Sequence, residues 1–155
     1  MNKIPKRVPE IQVSYSFKVA VRDRPKILTS EDSFEVFCEI WDKDIIAYQE
    51  SIFALFLNGA NRLLGYRCLS NGASNYTIMD AKHLFGIAVK CNVRSIVIGH
   101  NHPSGLIFPS DHDRKLTTKL FEGGKILDIM LLDHLIITPT LDTYYSFADE
   151  GYLQV

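Results

Sequence analysis

The chain has 155 residues, 46% of them hydrophobic and 23% charged, with a formal net charge of −1 at pH 7. That size and balance suit one globular domain with a substantial core. They exclude a strongly basic nucleic-acid binder, and no run approaches the ~20 apolar residues of a membrane-spanning helix.

Residues 1–10 hold two prolines and mixed charge and are expected to form a loose arm. Met1 to Arg7 carries Lys3, Lys6 and Arg7 but no apolar segment, so it does not read as a signal peptide. Cys38, Cys68 and Cys91 are widely spaced with no CxxC pair, which predicts reduced thiols in a cytoplasmic protein. From Ile11 to Ala20, Val13, Tyr15, Phe17 and Val19 alternate with Ser14, Ser16 and Lys18, the pattern of a half-buried strand. The chain thus divides into an arm with a candidate first strand over 1–28 and a main domain over 29–155.

Arg22 to Lys26 contains Pro25 and reads as a turn. Thr29 or Ser30 then caps a helix over 31–42, with Glu31 and Asp32 in its first turn. Phe34, Phe37, Cys38 and Trp41 fall at i, i+3, i+4 and i+7, a packing face without chemistry. Ser51–Leu57 is an apolar strand, Asn58–Asn61 a turn, and Arg62–Ser70 a second strand completing a hairpin. Asn71–Asn75 is a polar loop. Asp80 caps a helix reaching about Asn92, with Ala81, Leu84, Phe85, Ala88 and Val89 inward. Residues 94–99 form a buried strand. Ser110 or Asp111 starts a further helix, expected to end at Gly123-Gly124. Two strands are predicted near Ile126–Leu132 and His134–Thr138, and a last one at Tyr144–Ala148. The expectation is an α/β fold with a mixed, curved sheet flanked by helices.

The chemistry concentrates after the strand Ser95-Ile96-Val97-Ile98-Gly99, in His100-Asn101-His102-Pro103-Ser104-Gly105. Residues i and i+2 of a strand share a face, so His100 and His102 can point at one ion. An Asp at the next helix start completes a candidate metal site. Imidazole and carboxylate ligands with one open position suit zinc best. Read alone, the histidine pair is also compatible with polar surface.

Glu50, His100-Asn101-His102-Pro103 and Ser110-Asp111-His112-Asp113 together resemble the JAMM motif of JAB/MPN metalloprotease-like domains. The finer wording, HNHPSG, then PS, then LLDHLIIT and YYSFADEG, is similar to the RadC branch of that family, over roughly residues 30 to 153. The resemblance implies a curved mixed sheet between helices, related to the cytidine-deaminase architecture. It implies that His100, His102 and Asp113 bind Zn2+, with water in the fourth position. Glu50 would be the general base, and Ser110 would hydrogen-bond the water or the oxyanion. The family reaction is hydrolysis of a peptide or isopeptide bond. RadC-like proteins usually carry an N-terminal helix-hairpin-helix region, for which this chain has no room, so it resembles the shortened members.

Each residue keeps a plainer alternative. Ser110 and Asp113 have the spacing of a helix cap. Glu50 also reads as a solvated flank. His112 and His83 are expected at the surface. Asp133-His134 reads either as a pair orienting a ligand imidazole or, the favoured reading, as polar punctuation between two strands. Asn101, Ser104 and Gly105 are expected to shape the loop. Two functions follow: a zinc hydrolase of peptide or protein amide bonds, or a DNA repair or recombination accessory protein with a structural or vestigial metal. Direct DNA binding is disfavoured by the net charge. A nuclease using the same activated water is the weaker third reading. A membrane partner is not expected, and exposed strand edges leave an oligomer open.

Overall fold

A computed structural model describes residue 16, residues 18–72 and residues 78–154. The expected arm over 1–10, most of the candidate first strand and the centre of the polar loop lie outside the described residues. The described end of that strand, Lys18 to Ala20, is not extended into a sheet; it leads into a single 3-10 turn, Val21–Asp23.

The regular elements are α1 (Ser30–Ile40), β1 (Ser51–Leu57), β2 (Leu63–Asn71), α2 (Ala81–Lys90), β3 (Ser95–Asn101), α3 (Asp111–Ile126), β4 (Met130–Ile137) and β5 (Tyr144–Ser146). They build one open sheet in the order β2-β1-β3-β4-β5. All neighbouring pairs are antiparallel except β3 and β4, which are parallel and joined by the α3 crossover. The α/β class and the mixed sheet are as the sequence predicts.

Period-two alternation sorts the strands between two cores. Ile52, Ala54, Phe56, Ile96, Ile98 and Ile136 pack with Leu84 and Ala88 of α2 and Leu120 of α3. Leu55, Leu57, Val97, Leu135 and Ile137 pack on the other face with Val36, Phe37 and Trp41. Continuing the β3 alternation, His100 turns to the α3 face and Asn101 to the α1 face. Gly99 also turns to α1, where the Phe37 ring lies so close that an added Cβ would sit 2.7 Å from it.

Four details differ from the sequence reading. Helix α1 buries Ser33 and Val36 beside the expected Phe37 and Trp41, while Phe34 and Cys38 are only partly covered. Val89 of α2 is 60% exposed, and the partly buried Ile87 packs inward instead. Gly123-Gly124 does not end α3, which runs through both glycines to Ile126. They are needed for approach: a Cβ on Gly124 would lie 2.2 Å from the Ile129 carbonyl oxygen, and one on Gly123 would lie 3.0 Å from the Phe85 ring. The two strands expected around Asp133 are one strand, β4.

That last difference has a local cause. The β3–β4 register steps from Ile96↔Leu131 to Val97↔Asp133, so one residue of β4 bulges out. Before the step Leu131 faces α3; after it Ile136 does, and so does His134. Without the extra residue, strict alternation from Leu131 would turn His134 to the α1 side. The phase slip looks like a strand break in sequence, and in space it aims a histidine at the site.

Candidate metal centre

His100 lies at the end of β3, 1% exposed. His102 stays in line because its backbone N–H donates to Ile137 O at 3.0 Å, extending the ladder past the strand. The two rings therefore share the α3 face, with their Nε2 atoms 2.8 Å apart. A turn follows, closed by Gly105 N–H to His102 O at 2.9 Å, with Gly105 at φ +79°, where glycine carries no steric penalty. Ser110 caps α3, and Asp113 occupies its first turn.

Asp113 meets both histidines. Its Oδ1 is 3.2 Å from His100 Nε2, and its Oδ2 is 3.5 Å from His102 Nε2. One ligand atom from each of the three residues falls within 4.8 Å of the others, close enough to hold one ion. The Oδ2 atom accepts from Ser110 N–H and Ser110 Oγ–H, both at 2.7 Å, while Ser110 Oγ accepts from Asp113 N–H at 3.2 Å. Ser110 and Asp113 thus form a capping box, and the same box fixes the carboxylate against the histidines.

The Nδ1 side of each ring is engaged. His102 Nδ1 donates to the Leu106 carbonyl. His100 Nδ1 lies 2.7 Å from Nε2 of His134, a residue with 0% exposure. His134 stacks on Phe147 at 4.9 Å and 10°, and its Nδ1 lies 2.7 Å from Thr117 Oγ1. The Asp133-His134 pair therefore splits, against the favoured reading. His134 lies against the candidate ligand His100, whereas Asp133 faces away and ties β4 to the end of β5 and the turn after it. Asp133 Oδ1 accepts from His134 N–H and Ala148 N–H, and Oδ2 accepts from Ser146 Oγ–H at 2.6 Å.

Glu50 immediately precedes β1. The register pairs Ile52 with His100 at the end of the ladder, and Glu50, two residues before Ile52, lies near enough to feel the charges of His100, His102 and Asp113. Asn101, fully buried, holds this approach: its Nδ2 donates to Ile46 O and Gln49 O, and its Oδ1 accepts from Ser51 N–H at 2.7 Å. On the other side Gly72 N–H donates to Glu50 O at 2.8 Å. Asn101, read from sequence as a loop former, is thus a clamp on the Glu50 segment. No motif signals that role; the alternation of β3 does, since the residue between two same-face histidines must face the other way.

The electrostatics follow the burial. Burial pushes the Glu50 carboxyl above its ordinary range, partly offset by His100 and His102, while the Asp113 charge adds to the rise and His112 opposes it. Burial also opposes ionisation of Asp113. The imidazoles of His100 and His102 and the Ser110 hydroxyl outweigh it and hold the carboxyl well below its ordinary range. Burial lowers His102, but its contacts with Asp113 and Leu106 and the Glu50 charge raise it overall. Burial, with His100 next, keeps His134 well below the ordinary imidazole value. His112 and His83 are exposed, as expected. Between His102 and Ser110 the loop exposes Leu106 and Phe108, 68% and 74%. Among the described residues no helix is long and apolar enough to cross a membrane.

Comparison with known proteins places the chain in a family. The RadC-like JAB domain matches residues 27–152. UPF0758 proteins are similar to the chain: 39% identical in Flavobacterium johnsoniae over 126 residues, 81% of this chain and 53% of the relative. In Aquifex aeolicus the identity is 34% over 143 residues, 92% of this chain and 59% of the relative. In Streptococcus suis it is 40% over 103 residues, 66% of this chain and 41% of the relative. The chain spans about half the length of these curated relatives. With the match covering most of the chain, and a mixed sheet carrying a His-His-Asp cluster, the chain belongs to the RadC-like JAB domain family.

Proposed function

We propose that this domain is a zinc-dependent hydrolase of amide bonds in peptides or proteins. One observation carries the reading: two imidazole Nε2 atoms and a carboxylate converge on one point beside a half-buried glutamate. With both Nδ1 atoms engaged elsewhere, the two Nε2 atoms face each other and the Asp113 carboxylate, and a cation there takes the place of the protons they would otherwise share. Two imidazoles and one carboxylate, leaving a position open, are the donor set of a catalytic zinc site. When bound there, zinc supplies the Lewis acidity that makes water a nucleophile near neutral pH.

The chain's own residues supply the rest. Glu50, raised toward neutrality by burial, takes a proton from the attacking water and returns it to the leaving amine. Asn101 keeps Glu50 in place. Ser110 spends its hydroxyl proton on Asp113 Oδ2, so its first task is to hold Asp113; donation to an oxyanion requires that bond to break. Leu106 and Phe108 give the rim an apolar surface suited to a large side chain beside the scissile bond of an extended peptide.

The test is Glu50→Gln. The variant is expected to keep its metal and lose turnover of peptide or isopeptide substrates by 100-fold or more, roughly the general-base contribution. Full activity in Glu50→Gln contradicts the base assignment. A metal-loaded wild type that cleaves no amide across a broad peptide library contradicts the hydrolase.

A further inference from the structure

The His100–His134–Thr117 contacts have a direction. Thr117 lies one turn after Asp113 in α3, and its hydroxyl donates to Asp113 O at 2.7 Å. A carbonyl oxygen only accepts, so the single Thr117 proton is used there. The His134 Nδ1 atom, also 2.7 Å from Thr117 Oγ1, must then be the donor of that contact. Among the described residues its two ring nitrogens meet Thr117 and His100, and an imidazole with its single proton on Nδ1 satisfies both contacts. Its Nε2 is left as an acceptor, and His100 Nδ1–H must donate to it across 2.7 Å.

We propose that Thr117 and His134 act as positioning residues that lock His100 in the Nδ1–H tautomer, so that its Nε2 lone pair points permanently into the His-His-Asp cluster. The same turn of α3 then sets two candidate ligands. Asp113 contributes its carboxylate to the cluster, and its main-chain carbonyl starts the proton ordering that prepares His100. Phe147, stacked on His134, stops the ring from rotating out of line. The inference needs the metal centre but not hydrolysis. A histidine ligand prepared in this way binds metal more tightly, and loss of such an outer partner typically lowers affinity by about 10–100-fold.

Two readouts test the lock. In metal-free wild-type protein in mildly alkaline buffer, long-range 15N–1H NMR of the imidazoles should show His100 and His134 both protonated on Nδ1 and bare on Nε2. Zn2+ affinity, measured by chelator competition, should fall about 10–100-fold in Thr117→Val and His134→Leu. It should return toward wild type in Thr117→Ser, which keeps the hydroxyl, and His134→Gln, which can keep an acceptor. A structural role alone does not separate these pairs by their hydroxyl or acceptor, nor move the His100 ring proton. If His100 carries its proton on Nε2 in the wild type, the lock is wrong. Wild-type affinity in a folded Thr117→Val overturns it equally. Should the His134 variants fail to fold, the NMR assignment and the isosteric Thr117→Val still decide.

Discussion

Asp113 uses the two oxygens of one carboxylate differently. Oδ2 completes the α3 capping box, and Oδ1 faces His100. Asp113→Asn keeps a capping acceptor but loses the charge, so α3 should stay formed by circular dichroism while metal affinity falls by at least tenfold. Ser110→Ala should lower stability by about 0.5–2 kcal/mol through loss of the cap, and also weaken metal binding because the carboxylate keeps the Ser110 backbone N–H but loses the hydroxyl that anchors Oδ2. Unchanged metal affinity in both variants contradicts the shared role. The candidate ligands were legible in sequence because a strand puts i and i+2 on one face, and because a capped helix start places an acid at a known height. His134 was not, since its orientation depends on a bulge in β4. Nor was Asn101, whose partners lie 50 residues away or more in the chain.

At the scale of elements, the same rules explain what composition and periodicity capture and what they miss. The Thr29 cap of α1 was legible and is present as a full capping box: Asp32 Oδ2 accepts from Leu28 N–H at 2.7 Å and Thr29 N–H at 2.9 Å, and Thr29 Oγ1 accepts from Asp32 N–H. These backbone donors hold Asp32 below its ordinary value. Its stabilising effect is therefore present above the unfolded-state value and lost as pH falls through the folded one. Thr29→Ala should destabilise by about 0.5–2 kcal/mol in chemical denaturation and leave metal uptake unchanged. Of the expected α1 face, Phe37 and Trp41 are buried and Phe34 packs against the same core, while Val36 is buried where Cys38 was expected. Gly99 and Gly124 illustrate a second limit: their role is a close approach that only the folded partner reveals. Gly99→Ala should lower stability by about 1–3 kcal/mol, since the Phe37 ring it meets is itself fully buried. Gly124→Ala should be worse, because it meets a main-chain carbonyl that cannot rotate away.

For the whole molecule, the sheet order matters most. Placing β3 at the centre, between β1 and β4, brings Glu50 from one neighbour and His134 from the other to the same strand end, while the α3 crossover returns Asp113 to it. Three segments distant in sequence therefore share one site, and metal binding should stabilise the global fold. The melting temperature should rise with Zn2+ concentration in proportion to RT ln(1 + [L]/Kd). The pH dependence has a definite sign. In the metal-free protein the His102 value lies above its unfolded one, so that contribution is present at low pH and fades as pH rises through the folded value. The metal competes with that proton, so its stabilising increment should grow over the same rise. A zinc-induced shift that is largest in acid contradicts this coupling.

The most direct measurement is metal content by elemental analysis on native protein and on His102→Ala and Asp113→Ala, purified without chelator. The account predicts about one zinc per native chain and almost none in folded variants. A native protein that is folded, metal-free and unable to take up added zinc contradicts the metal centre and the hydrolase built on it.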